Sequence, residues 1–325
     1  MDFWQKLKKD KDKDKKPIVV LAPMADVTDS AFRKIIAKYG KPDVFWTEFV
    51  SADGLVLAPE EGKKKLLEGL KFSKKEHPIV AQLFSSKPEN MKKSAKLVQD
   101  LGFDGIDINM GCPDRSIEKQ GCGAAMIKNP DLAKEIILSA KDGAPNLPVS
   151  VKIRLGYNQD SMEDWLKFLL KTNPSVITIH ARTRKEMSKV PAKWHRIKTA
   201  VQIRDELKSN TLIFGNGDVT SLQMAYDKFK ETNCDGVMIG RGIFGNPWFF
   251  SGYTPTIKEK LIVAVEHAKL FEKEIEYKNF AVMKKHFKAY IEGFDGAKEL
   301  RHKLMDTNSA EEVSEIINLW LKEHK

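Results

Sequence analysis

Over its first 250 residues this chain alternates short apolar runs with segments of helical period, and that alternation restricts its fold more than any other feature. The apolar runs are 18–22, 44–47, 79–83, 105–109, 149–153, 176–180, 212–215 and 236–240. Each is continuously apolar rather than alternating, the mark of a strand buried on both faces, as parallel sheets are when crossover helices cover them. Between the runs, Phe32, Ile35, Ile36 and Tyr39 recur at the spacing of one helix face. The same holds for Ala95, Leu97, Val98 and Leu101, for Leu132, Ile136, Ile137 and Ala140, and for Ile197, Val201, Ile203 and Leu207. Eight such units fit a (β/α)8 TIM barrel. A doubly wound open sheet is the alternative, but it seldom carries eight regular units. After Pro255 the alternation stops, and 258–278, 280–294 and 311–322 are helical by period, with breaks at 293–296 and 306–309. Ser309 followed by Glu312 has the spacing of a capping box for the last helix. The expected organisation is a charged arm over 1–16, a barrel over 17–255 and a small all-helical domain over 256–325.

Composition narrows the setting. A formal net charge of +10 with a pI near 9.2 suggests a polyanionic partner. No stretch approaches the roughly 18 uninterrupted apolar residues of a membrane span, and residues 1–16 lack the apolar region of a secretory signal. Lys and Asp alternate from Lys8 to Lys16 with only Phe3, Trp4 and Leu7 to bury, so the arm is expected to be solvated. Three cysteines, an odd count without framework spacing, fit a reducing cytoplasm without structural disulfides. None of the seven histidines pairs at metal-ligand spacing, so no metal site is expected.

A TIM barrel keeps its chemistry at the carboxyl ends of its strands, and the unusual residues collect there. The first strand runs into Pro23, Met24 and Ala25, the third into Gln82, the fourth into Asn109 with Cys112 and Pro113 just beyond. The fifth ends in Lys152 and Arg154, the sixth in His180, the seventh in Asn216, Gly217 and Asp218, the eighth in Gly240, Arg241 and Gly242. The last two loops occupy the usual phosphate place of the fold: glycines let backbone N–H groups approach a phosphate, and Arg241 can bond it bidentately. Two tight turns are the bland alternative. No Gly-x-Gly-x-x-Gly follows the first strand, so a Rossmann cradle is unsupported. A cation from Lys152 at the mouth would stabilise an anionic reduced flavin. Cys112, with an ordinary thiol pKa of about 8.5, is protonated near neutrality and can serve as a general acid. Cys234 reads as a small buried hydrophobe, and Cys122 lies in a mobile-looking loop.

With these residues in place the chain resembles the tRNA-dihydrouridine synthases along nearly its whole length. The resemblance is carried by Pro23-Met24-Ala25, Ala81-Gln82-Leu83, Asn109-Met110-Gly111-Cys112-Pro113, Val151-Lys152-Ile153-Arg154, His180-Ala181-Arg182-Thr183, Asn216-Gly217-Asp218 and Gly240-Arg241-Gly242. Lys284-Lys285-His286-Phe287 and the segment from Gly293 to Arg301 resemble the family's helical domain. The resemblance implies FMN in the barrel mouth, electrons from NADPH, and a tRNA uridine flipped out of its stack to receive hydride at C6 and a proton from Cys112 at C5. It places Asn109 and Arg154 against the uracil nucleotide. Pro23, Met24, Ala25 and Gln82 would line the flavin, with Lys152 at its pyrimidine edge. His180, Asn216, Gly217, Asp218, Gly240 and Arg241 would hold ribityl and phosphate.

A uridine inside folded RNA must be unstacked to reach a barrel mouth, so a second domain is expected to grip the RNA. Over 256–325, Lys and Arg balance Asp and Glu at thirteen each, but over 278–303 they stand at seven against three. Lys284, Lys285, Lys288 and Arg301 are the candidate RNA contacts, with a solvated helix face as the alternative. One departure stands out: the family's usual aromatic after the His180 motif is missing from 184–190, where Met187 is the apolar substitute. NADH remains open as donor because no dinucleotide motif is present, and no obligate protein partner is expected. The alternatives are an FMN enzyme reducing a free pyrimidine, similar to dihydroorotate dehydrogenase, and a tRNA-binding barrel without catalysis.

Overall fold

The computed structural model describes residues 2–324; Met1 and Lys325, the outer ends of the two expected terminal segments, lie outside the described residues. Eight parallel strands form one sheet: β1 (Ile18–Leu21), β2 (Phe45–Ser51), β3 (Ile79–Phe84), β4 (Gly105–Met110), β5 (Val149–Arg154), β6 (Val176–His180), β7 (Leu212–Asn216) and β8 (Gly236–Ile239). Their order is β1-β8-β7-β6-β5-β4-β3-β2. The two end strands meet through one parallel bridge, Val20 to Val44, where the Leu21 N–H donates to the Val44 carbonyl at 3.2 Å. The sheet thus curls round on itself as the TIM-barrel reading requires. Every residue of β1, β3, β4, β7 and β8 is buried, the consequence of helices outside and side chains inside. β2 runs on to Ser51, beyond the expected 47, because its register against β3 shifts between Trp46 and Phe49 and pairing then resumes.

The helices up to β8 are α1 (Phe3–Lys13), α2 (Ser30–Tyr39), α3 (Ala52–Leu57), α4 (Glu60–Gly69), α5 (Pro88–Asp100), α6 (Arg115–Glu118), α7 (Pro130–Gly143), α8 (Met162–Leu170), α9 (Trp194–Glu206) and α10 (Leu222–Thr232). After β8 come α11 (Ile257–Glu274), α12 (Met283–Tyr290), α13 (Ala297–Met305) and α14 (Ala310–Glu323).

The N-terminal arm departs from the expected solvated tail. It is the helix α1, capped by Asp2, whose carboxylate accepts from the Gln5 N–H at 3.0 Å. Trp4 is wholly buried in the lower barrel interior, 5.5 Å from both Trp46 and Phe214 between ring centroids. Lys8 and Lys11, four and seven residues on along the same face, pair with Asp235 and Asp43 at 3.6 and 2.6 Å, while Lys6, Lys9, Asp10, Asp12 and Lys13, whose charges suggested solvation, are exposed.

Two details of the C-terminal reading also change. The helix α13 occupies a stretch that periodicity left unassigned. At α14 only half of the capping box forms: the Ser309 hydroxyl accepts from the Glu312 N–H at 3.2 Å, but the Glu312 carboxylate accepts from the Asn308 N–H at 2.8 Å. A complete reciprocal box sits instead at α11, between Thr256 and Glu259.

Candidate active site

At the end of β4 the chain turns through Gly111, Cys112 and Pro113. Asn109 shapes this turn: its side-chain carbonyl accepts from the N–H groups of Gly111 and Cys112 at 3.1 and 2.9 Å. The Arg154 Nε donates to the Gly111 carbonyl at 2.7 Å, and the Ala124 N–H donates to the Cys112 carbonyl at 2.9 Å. Gly123 backs the loop with φ +61°, and a Cβ there would stand 2.6 Å from the Cys112 carbonyl oxygen. Cys112 is therefore pinned on both sides with its thiol half-buried. Desolvation pushes that thiol above its ordinary value, so it holds its proton at neutral pH.

Beneath the turn lies a row of buried polar side chains. Asn109 Nδ2 donates to Gln82 Oε1 at 3.0 Å, Gln82 Nε2 donates to Asp107 at 2.6 Å, and the Ser150 hydroxyl donates to Asp107 at 2.6 Å. Gln82 is wholly buried, and its amide is committed to these neighbours.

From β5, Lys152 rises half-buried and forms no ion pair or hydrogen bond among the described residues. Desolvation, with the nearby Arg154 charge adding to it, pushes its ammonium down to about 8. Arg154 is buried and ties loops together, its Nη1 donating to the carbonyls of Thr183 and Met187, both at 3.1 Å. His180 sits at the end of β6 in register with Arg154. Burial and the surrounding cations Lys152, Arg154, Arg182 and Arg241 hold it well below the ordinary imidazole range, so it is neutral. Its Nε2 lies 3.2 Å from Arg182 Nη1; because a guanidinium only donates, Nε2 accepts and Nδ1 carries the hydrogen.

Beside His180 the loops after β7 and β8 enclose a cavity of about 320 Å³ that includes Asn216, Gly217, Asp218, Gly240 and Arg241. Gly217 has φ +133°, and a Cβ there would press 2.8 Å from that of Ala192. Asp218 does not present a free carboxylate. It accepts from Arg182 Nη2 at 2.5 Å, from the Ala192 N–H at 2.8 Å and from Arg241 Nη2 at 3.2 Å. These contacts hold its pKa below the usual carboxylate range against its own burial. Asp218 thus keeps two guanidiniums on the cavity wall. Asn216 Nδ2 donates to the Met238 carbonyl at 2.8 Å.

Pro23 and Met24 are half-buried and Ala25 exposed in the loop after β1, with Met24 Sδ 3.8 Å from where a Cβ on Gly240 would lie. Lys285 and Lys288 are exposed on α12 and Lys284 is half-buried, all without ion pairs among the described residues. Arg301 is half-buried and donates to the Ile291 carbonyl at 2.9 Å, which ties α13 back to the end of α12. α12 packs against the segment after β8, the Phe244 and His286 rings lying 6.1 Å apart.

Three features escaped the sequence reading. Arg182 belongs to the His180-Ala181-Arg182-Thr183 segment, and Asp107 lies two residues before Asn109 on the same face of β4, so the strand period could have flagged the latter. Tyr157 packs against the 184–190 loop, with Lys128 Nζ 3.5 Å and the Arg184 guanidinium 5.2 Å from its ring centre. Cys122 is not in an open loop but buried against Phe84 and Ile117, and Cys234 is wholly buried. No group of three or more potential metal ligands occurs among the described residues.

The family model described as dihydrouridine synthase (Dus) matches residues 20–324. A probable tRNA-dihydrouridine synthase of Staphylococcus aureus strain Mu50 is 41% identical over 322 residues, spanning 98% of this chain and 95% of that protein. A probable tRNA-dihydrouridine synthase 2 of Bacillus subtilis strain 168 is 40% identical over 323 residues, spanning 98% and 96%. Among solved structures, a variant of NCR from Zymomonas mobilis superposes with a TM-score of 0.51 at 14% identity, covering 80% of this chain and 94% of that one. A 2-naphthoyl-CoA reductase superposes with a TM-score of 0.55 at 9% identity, covering 72% and 49%. These two share the fold alone. Matched by the family model from β1 to the end of α14, and by relatives at this identity over almost its full length, the chain belongs to the dihydrouridine synthase family.

Proposed function

We propose that this chain is a tRNA-dihydrouridine synthase, an oxidoreductase that reduces the C5–C6 double bond of uridines in tRNA. The observation that carries the reading is the pairing of a protonated thiol, Cys112, with an unpartnered ammonium, Lys152, at adjoining strand ends of one barrel mouth. The residues present fit FMN. An ammonium with no protein partner suits the flavin's pyrimidine edge, and the glycine-walled cavity with two oriented guanidiniums suits its phosphate. When bound, FMN supplies the hydride that reaches C6 of the uracil, and NADPH restores it.

The chain's own residues do the rest. Lys152 compensates negative charge at the pyrimidine edge, while Arg241, held by Asp218, and the backbone N–H groups after β7 and β8 receive the phosphate. Neutral His180 offers its Nδ1 hydrogen to the ribityl chain. Cys112 delivers a proton to C5, and the half-buried position of its sulfur keeps bulk water from competing for that role. Asn109 and Arg154 act on the base mainly through the loop they hold. Lys284, Lys285 and Lys288 meet RNA phosphates beside the mouth. No described helix is long and apolar enough to cross a membrane, and a cytoplasmic setting suits a tRNA substrate and three free cysteines.

An absorbance spectrum of the purified protein tests the reading. Flavin bands should bleach with NADPH and return anaerobically only when tRNA lacking dihydrouridine is added. Recovery with a free pyrimidine instead would move the enzyme to small-molecule substrates, and no bands after adding FMN would remove the enzymatic reading.

A further inference from the structure

Asp107 has no place in the chemistry described so far, yet it is a wholly buried carboxylate inside the barrel, directly below the reacting groups. It pairs in register with Ser150, while Asn109 pairs with Lys152 one step nearer the mouth. A buried carboxylate is costly unless its lone pairs are occupied, and here they accept from Gln82 and Ser150. A carboxylate can only accept, so the Gln82 amide must turn its NH2 to Asp107 and its carbonyl to Asn109. Asn109 must in turn give its NH2 to Gln82, which directs its carbonyl to the N–H groups of Gly111 and Cys112. Two side-chain amides that could each sit either way round are thereby fixed between one acceptor at Asp107 and two backbone N–H donors at the turn.

We propose that Asp107 is a positioning residue for the reduction: through Gln82 and Asn109 it fixes the turn that presents Cys112, and its charge balances Lys152 from below. The inference rests on the reading of Cys112 and Lys152 as the acid and the flavin-facing cation. The charged and titratable groups that face Lys152 are Arg154, Asp107, Cys112 and the neutral His180, and Asp107 is the one carboxylate among them. Arg154 and desolvation act to discharge the ammonium, and Asp107 opposes both. Asp107 itself is raised to about 6 by burial, with Gln82, Ser150, Lys152 and Trp46 lowering it, so it is ionised at neutral pH.

Two variants separate charge from geometry. Asp107→Asn can still offer its carbonyl to Gln82, so the relay survives while the charge goes. In that holoenzyme the alkaline fall of kcat should move about one pH unit toward neutrality, the usual size of a neighbouring-charge effect, with KM for tRNA and flavin content unchanged. Superimposable pH profiles would overturn the charge role. Gln82→Met keeps the volume but cuts the relay. Iodoacetamide labelling of Cys112 on the purified full chain, followed by mass spectrometry, should then run about ten-fold faster, as expected for freeing a loop from one or two hydrogen bonds, while Asp107→Asn labels at the unchanged rate. Equal rates in Gln82→Met would overturn the positioning role. Should that variant fail to fold, Asp107→Leu gives the same contrast. Labelling needs no tRNA turnover, so an unchanged protein that reduces no uridine would remove the functional reading while the labelling rates still decide the relay.

Discussion

Cys112 illustrates how a thiol can be kept as an acid rather than a nucleophile. No cation hydrogen-bonds its sulfur among the described residues; Arg154 and Lys152 act to lower its pKa but are outweighed by the desolvation that raises it. Cys112→Ala should therefore bind flavin and accept electrons from NADPH at the unchanged rate but form no dihydrouridine, as read by stopped-flow absorbance and by nucleoside mass spectrometry. Equal loss of flavin would make the cysteine structural. On the proposed function, Lys152 is expected to set the alkaline side of the same reaction. A lysine is active when protonated, and this one loses its proton near 8 while the thiol still keeps its own. Reduction of bound flavin should fall as pH rises through about 8, and Lys152→Met should abolish that inflection; a limb that persists in the variant would assign it elsewhere. The positions of these side chains were legible because a strand of known period has only two faces and its carboxyl end is the mouth. Their partners were not. Nothing in the sequence says that Arg182, 2% exposed, turns inward to Asp218, or that Arg154 bonds carbonyls of two loops. Such contacts join distant strands and depend on closure of the barrel.

At the scale of elements, the strands were legible to within a few residues because continuous apolar runs bounded by turns have one reading in a barrel. Helix α1 was not. Its charges dominate the composition of 1–16, and one buried residue on one face leaves little periodic signal. Trp4 nevertheless acts as the stopper of the lower barrel, surrounded by Val20, Val44, Trp46, Val80, Phe214 and Met238. Truncating a large aromatic in such a place costs about 3–5 kcal/mol, from lost transfer energy and the cavity left behind. Trp4→Ala should lower the urea midpoint accordingly while leaving the mouth able to bind flavin, since the stopper and the mouth are at opposite ends. An unchanged midpoint would mean that α1 sits on the barrel without stabilising it. Helix α13 escaped for a different reason: at nine residues between two glycine- and turn-rich breaks it is too short for periodicity to stand out.

For the whole molecule, the question is how α11–α14 are joined to the barrel. Their apolar core is not theirs alone. Ala31 and Ile35 of α2 and Trp248 from the segment after β8 belong to the same buried cluster as Leu261, Phe271 and Phe287. Removing 256–325 would therefore uncover the face of α2, and such a truncation would lose activity on any substrate. Sequence period finds each helix but not which barrel helix they share a core with. Ion pairs reinforce the junction, Lys278 meeting Glu48 at 2.8 Å and Lys34 meeting Glu274 at 2.6 Å. At its centre, His267 and His286 lie 4.6 Å apart against Phe32, both fully buried. His267 Nδ1 is 3.3 Å from the Tyr290 hydroxyl, while its Nε2 and both nitrogens of His286 have no partner among the described residues. Desolvation takes His267 down to about 3, and desolvation with nearby positive charge takes His286 well below the ordinary range. In the unfolded chain both accept protons near pH 6.5; in the folded chain they do not until far lower. Falling pH thus favours the unfolded chain, by about 1.4 kcal/mol per pH unit for each histidine once below 6.5. Asp29, raised to about 6 mainly by burial, works in the opposite sense over the same range, since its folded form takes up a proton first. The histidine contribution is isolated by comparison with His286→Leu, which fits the apolar surroundings. Urea midpoints measured from pH 7.5 to 5 should fall more steeply for the unchanged protein than for the variant. Parallel slopes would mean that His286 is protonated in the folded junction and that its charge has a partner there.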